Sequence, residues 1–139
     1  MNTTTASPAV MYARIFGVVL TLAGIVGLFV NTDQNVTKSL LGFDVNLTHN
    51  FVHLATGVVG LIVGFMVLSA ARTYALVFGV VYTVLAVWGL VHGNGFNPFG
   101  IFGEINRADH FLHLALGVAG VGAYIASPMA TRERANHTM

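Results

Sequence analysis

Four long apolar runs follow one another along the chain, at about residues 9–30, 48–71, 74–91 and 110–126, with polar segments between them. A membrane-crossing helix needs about 20 apolar residues to cover about 30 Å of hydrocarbon. The pattern therefore predicts an all-α, four-transmembrane-helix bundle. The third and fourth runs are short and draw on flanking polar residues. The first run lacks a basic segment before it and a small-residue cleavage pattern after it, so it reads as a retained helix rather than a signal peptide.

The pattern also repeats itself. Residues 49–60 lie over residues 109–120, and Phe51, His53, Leu54, Ala55, Gly57, Val58 and Gly60 are identical to their partners. Upstream, Asp44-Val45-Asn46 falls on Glu104-Ile105-Asn106. At an offset of 62, Phe16-Gly17-Val18-Val19 falls on Phe78-Gly79-Val80-Val81, and Gly27-Leu28 on Gly89-Leu90. Self-similarity at a fixed period marks a duplicated structural unit. The expectation is one membrane domain over 1–139, with repeat one at about 9–71, repeat two at about 72–128, and polar tails at 1–8 and 129–139. An even number of helices per repeat gives both halves the same topology, which predicts a pseudo-twofold axis along the membrane normal.

Composition agrees with this reading. Of 139 residues, 55% are apolar and 8% charged, with a mean hydropathy of +0.77; soluble domains carry about 25% charged residues. Arg14, Arg72, Arg132 and Arg134 fall on one side of a four-span arrangement, and Lys38 and Arg107 on the other. Basic residues favour the cytoplasmic side, so both termini are expected in the cytoplasm and the two long loops outside. The partner that composition implies is the lipid bilayer, with a homo-oligomer or a larger membrane complex beyond it. Nothing points to nucleic acid.

Several functions lose their chemistry. The absence of cysteine removes disulfides, thiol relays and iron–sulfur clusters. The single lysine, Lys38, lies in a loop, where it forms no buried Schiff base. No charged residue falls at mid-membrane depth, where ion-coupled carriers place one. Serine has no suitable context for a nucleophile, and the glycine-rich loop at 93–100 lacks the lysine of a phosphate cradle. No catalytic constellation emerges, and the chain leans away from an enzyme.

The remaining chemistry is histidine. Counting from Arg72 and from Arg132 puts His53 and His113 at similar depths, just inside the outer interface. If the second and fourth helices meet on the axis, these two face each other. Three readings compete. The leading one takes the imidazoles as polar glue, donating to backbone carbonyls, to Asn50 or to Asp109, in a structural or accessory protein that acts through helix packing and has no cofactor. A second uses the glycines below them, Gly57, Gly60 and Gly64 and then Gly117 and Gly120, to make room for a haem b ligated by His53 and His113. A third groups His49, His53, His110, His113 and Asp109 as ligands of a transition metal, because spacings of three and four put imidazoles on one helix face. His92 reads as loop-facing, and Phe96, Phe99 and Phe102 as a cover over the bundle. Met66 reads as the only methionine well inside a span.

Taken together, Asn50-Phe51-Val52-His53-Leu54 leading to Gly57, Ala71-Arg72 with Tyr74-Ala75 before Phe78-Gly79-Val80-Val81-Tyr82, and Asn106 with Asp109, His113 and Gly117 resemble a family of small four-helix bacterial membrane proteins. That family is found in actinobacteria and cyanobacteria and is catalogued as a domain of unknown function. The resemblance covers about residues 12–126; His110 stands where its pattern more often has asparagine. It implies the same helical architecture and a multi-pass location in the bacterial inner membrane, and it brings no substrate, cofactor or catalytic residue with it.

Overall fold

Single polar side chains set where three of the four long helices begin. In the computed structural model, which describes residues 7–128, Ser7 precedes α1 (Pro8–Val30) and its hydroxyl accepts from the Val10 amide. Asn46 precedes α2 (Leu47–Phe65) and accepts from His49 N at 2.9 Å. Asn106 precedes α4 (Arg107–Ala126) and accepts from Asp109 N at 3.1 Å. Each cap satisfies an amide that the first turn leaves without a partner. The third helix, α3 (Ala71–His92), grows directly out of a 3₁₀ turn at Leu68–Ala70. All four are long and apolar enough to cross a membrane. The segments 1–6 and 129–139, including Arg132 and Arg134, lie outside the described residues.

Two expected boundaries need correction. The second apolar run does not stay helical to residue 71, because α2 ends at Phe65 and Met66 is its exposed cap. Met66, Val67 and Leu68 form the turn and are themselves apolar, with no glycine or proline to mark the break. From His53 to the end of α2 is then 12 residues, about 18 Å. His53 and His113 each lie six residues into their helices, about 9 Å. The fourth helix starts at Arg107, so Arg107 and Asp109 belong to its first turn and not to a loop.

The loop between α1 and α2 contains an antiparallel hairpin, β1 (Lys38–Leu40) and β2 (Phe43–Val45), which the apolar pattern did not predict. Its two-residue turn places Leu41 at φ 53° and Gly42 at φ 90°, the positive values that a tight hairpin of this twist requires.

Packing turns the usual interior inside out. Val18, Val19, Leu22, Val58, Val59, Val80, Val84 and Val118 are exposed, while alanines, glycines, tyrosines and the polar residues Asn31, Asn46, Asn50, Asp109 and His110 are buried. In lipid this is the stable arrangement, since helices there associate through close packing and hydrogen bonds rather than water exclusion. The helix α1 packs along α2, and α3 along α4. A Cβ on Gly17 would stand 2.7 Å from Leu61 N, and one on Gly79 would stand 2.6 Å from Val121 N; only glycine lets these backbones approach so closely.

The two pairs are tied across the centre. Tyr12 on α1 donates to Leu116 O at 3.1 Å, and Tyr74 on α3 donates to Thr56 O at 3.1 Å. At the same end of the bundle the arginines close helix termini. Arg14 donates to Gly64 O at 2.7 Å and lies over the Phe65 ring; Arg72 donates to Tyr124 O at 3.3 Å and lies over the Tyr124 ring. A cation at a helix C-terminus complements the negative end of its dipole.

Candidate metal centre

The backbones of α2 and α4 do not pack closely, and imidazole rings occupy the space between them near the hairpin end. His49 and His53 sit one turn apart on α2 with ring centroids 4.4 Å apart. His113 reaches across from α4, 5.8 Å from His49 and 5.9 Å from His53. All three are less than 9% exposed, and each offers a nitrogen within 4.8 Å of the others. An ion held at 2.0–2.1 Å needs its nitrogens roughly 3.4 Å apart.

The hydrogen bonding is more telling than the distances. Both ring nitrogens of His49 and Nε2 of His53 are buried and have no hydrogen-bond partner among the described residues. The groups expected to receive them make other bonds: Asn50 donates to Asn31 O at 2.9 Å, and the Asp109 carboxylate accepts from Asp44 N at 2.9 Å. An unpaired buried polar group costs on the order of 1–3 kcal/mol.

Of the five predicted metal ligands the structure gathers three. His110, 1% exposed, turns away towards α3, where its ring fills the space left by Gly89 and stands 5.8 Å from Phe96. Asp109 binds the hairpin to α4, a connection reinforced by Asn106 Nδ2 donating to Gly42 O at 2.9 Å. The hairpin makes the other half of this clamp, and sequence reading missed it; the Leu41-Gly42 pair was its only signal. His92 is exposed at the end of α3, with Nδ1 at 3.2 Å from Trp88 O, and takes no part.

The glycines below the histidines are filled by neighbouring helices and leave no slot for a macrocycle. Gly60 faces Gly17 and the Tyr74 hydroxyl, Gly64 faces Arg14, and Gly120 faces Gly79 and the Tyr12 hydroxyl.

Two cavities border the imidazoles. One, of about 80 Å³, is lined by all three histidines and by His110, together with Phe78, Tyr82, Leu85, Phe96 and Phe102. Phe96 is buried against Trp88, with ring centroids 5.0 Å apart, and so the loop after α3 does roof the bundle; Phe99 stays exposed. The other cavity, of about 300 Å³, opens between α1 and the hairpin and touches His49, His53 and Asp109 but not His113. Tyr82 stacks at 5.3 Å on His113, and its hydroxyl lies 3.4 Å from Thr56 Oγ1.

Three imidazoles of this kind suit zinc, copper, iron or nickel. No curated protein and no solved structure matches the chain. The model of one family, described as Domain of unknown function (DUF4383), matches residues 10–126. The four membrane-length helices, and the histidines held between them, are thus those of a protein that belongs to the DUF4383 family.

Proposed function

We propose that this protein is a small integral membrane metal-binding protein in which His49, His53 and His113 hold one transition-metal ion. The observation that carries this reading is the convergence of three buried imidazoles, each offering one nitrogen within 4.8 Å of the others, in which both nitrogens of His49 and Nε2 of His53 have no hydrogen-bond partner among the described residues. The glue reading needed those nitrogens to bond Asn50, Asp109 or backbone carbonyls, and no hydrogen bond joins the rings of His49, His53 or His113 to Asn50 or Asp109 among the described residues. The haem reading needed free space between His53 and His113. His49 stands beside both, 4.4 Å and 5.8 Å away, where the macrocycle would lie.

The scaffold is a tandem duplication with a pseudo-twofold axis along the membrane normal, repeat one at about 9–71 and repeat two at about 72–128. Supporting it, the Tyr12 to Leu116 and Tyr74 to Thr56 bonds join residues that the sequence repeat makes equivalent. The ring pairs Tyr12–Phe16 and Tyr74–Phe78 do likewise, each at 4.5 Å. The site departs from that symmetry, because His49 corresponds to Asp109. The protein resides in the bacterial inner membrane with both termini cytoplasmic; Arg14 and Arg72 at one end of the bundle support that orientation.

Elemental analysis of protein purified in mild detergent from its native membrane tests this. One equivalent of a transition metal, lost in His53→Ala and in His113→Ala, is the expected result. Metal-free protein from cells replete in copper, iron and zinc overturns it.

A further inference from the structure

Resting on the three-histidine reading, we infer that the bound metal keeps one coordination position open to the 80 Å³ cavity, and that this position takes a small, neutral, diatomic-sized ligand from the apolar phase. Three protein ligands leave a tetrahedral ion one vacancy, the arrangement of reactive rather than purely structural sites. The vacancy's direction follows from the cavities. The smaller one touches all three histidines, while the larger one touches His49 and His53 and misses His113. A ligand on an ion equidistant from the three imidazoles therefore stands in the smaller cavity.

Its walls select what enters. Phe78, Leu85, Phe96, Phe102 and Ile105 face the imidazoles, with Tyr82, Thr56 and His110 as the other lining residues that carry polar groups. An anion would meet the ion's charge there but would exchange its hydration for walls that are mostly apolar, whereas a small neutral molecule loses little on entering. The volume of about 80 Å³ is well under the 150 Å³ of an apolar cavity that accepts benzene. Neutral molecules of two or three atoms, which dissolve readily in hydrocarbon, fit on both counts.

The probe is carbon monoxide on the Cu(I)-loaded protein in lipid nanodiscs. Copper content is first measured by elemental analysis, so that failure to bind metal is seen separately from failure to bind gas. The expected result is one C–O stretching band per copper, shifted by carbon-13 labelling and unchanged by excess azide. The ligand n-butyl isocyanide should be excluded from the wild type and admitted by Phe102→Ala, which widens the cavity from the loop without touching helix packing. Leu85→Trp should keep copper and lose the carbonyl band. Copper-loaded wild type without a carbonyl band, or wild type that binds azide or the isocyanide as readily as carbon monoxide, overturns the inference and leaves the metal site standing. Protein that retains neither copper nor zinc, iron or nickel after loading overturns both.

Discussion

His53 and His113 meet edge to face, their ring centroids 5.9 Å apart and their planes at 85°, although the helices that carry them do not pack backbone to backbone. Side chains alone span the gap. A pair of imidazoles brought together this way, with a third one turn along α2, leaves ring nitrogens of His49 and His53 buried without a hydrogen-bond partner among the described residues. Under the proposed function, a metal ion takes one nitrogen from each ring.

Ligand identity gives the first prediction. His53→Ala and His113→Ala should each abolish stoichiometric metal, and His49→Ala should weaken binding so that the ion is retained only when metal is supplied in excess. His110→Asn should retain it, because that ring fills the space beside Gly89 and is not one of the three. Loading should also fall on acidification, since protons compete for the ligating nitrogens. Elemental analysis of the four variants, and of wild type across an acid series, reads both effects.

Glycine packing gives the second. Gly17→Ala and Gly79→Ala place a methyl 2.9 Å from a facing backbone carbon in each case, so each should cost about 1–3 kcal/mol of stability through overpacking. Gly122→Ala meets nothing within 4 Å and should be neutral or stabilising by up to about 1 kcal/mol through helix propensity. Unfolding of the three variants in mixed micelles separates the cases.

How much of this was readable in advance follows from particular residues. The four helices were legible because membrane-length apolar runs have few alternatives, and Asn46 and Asn106 already aligned before they proved to be caps. The turn after α2 was not, since Met66 to Leu68 are as apolar as the helix they end. At the site, spacing decides what composition left open. With 3.6 residues per turn, His49 stands about 40° from His53 around α2 and shares its face. His110 stands about 60° from His113 in the opposite sense and faces α3. The equivalent of His49 on α4 is Asp109, whose carboxylate is drawn to Asp44 N by a hairpin that the apolar pattern did not reveal.

The repeat supplies the third prediction. Tyr12→Phe and Tyr74→Phe each remove one cross-pair hydrogen bond of 3.1 Å, and bonds between helices in membranes average about 0.6 kcal/mol. If the two halves are equivalent, the losses should match within about 0.5 kcal/mol; the rings stand 6.1 Å apart, so the double variant should show coupling rather than simple additivity. A large effect at one tyrosine with none at the other would count against the pseudo-twofold arrangement.

The central claim is that three imidazoles hold one ion, and X-ray absorption at the edge of the metal found in the purified protein tests it most directly. The expected spectrum has a nitrogen shell at about 2.0–2.1 Å with the outer-shell scattering of three imidazole rings, falling to two in His49→Ala reloaded with the same metal. A wild-type spectrum without imidazole scattering, or one unchanged by His49→Ala, would contradict it.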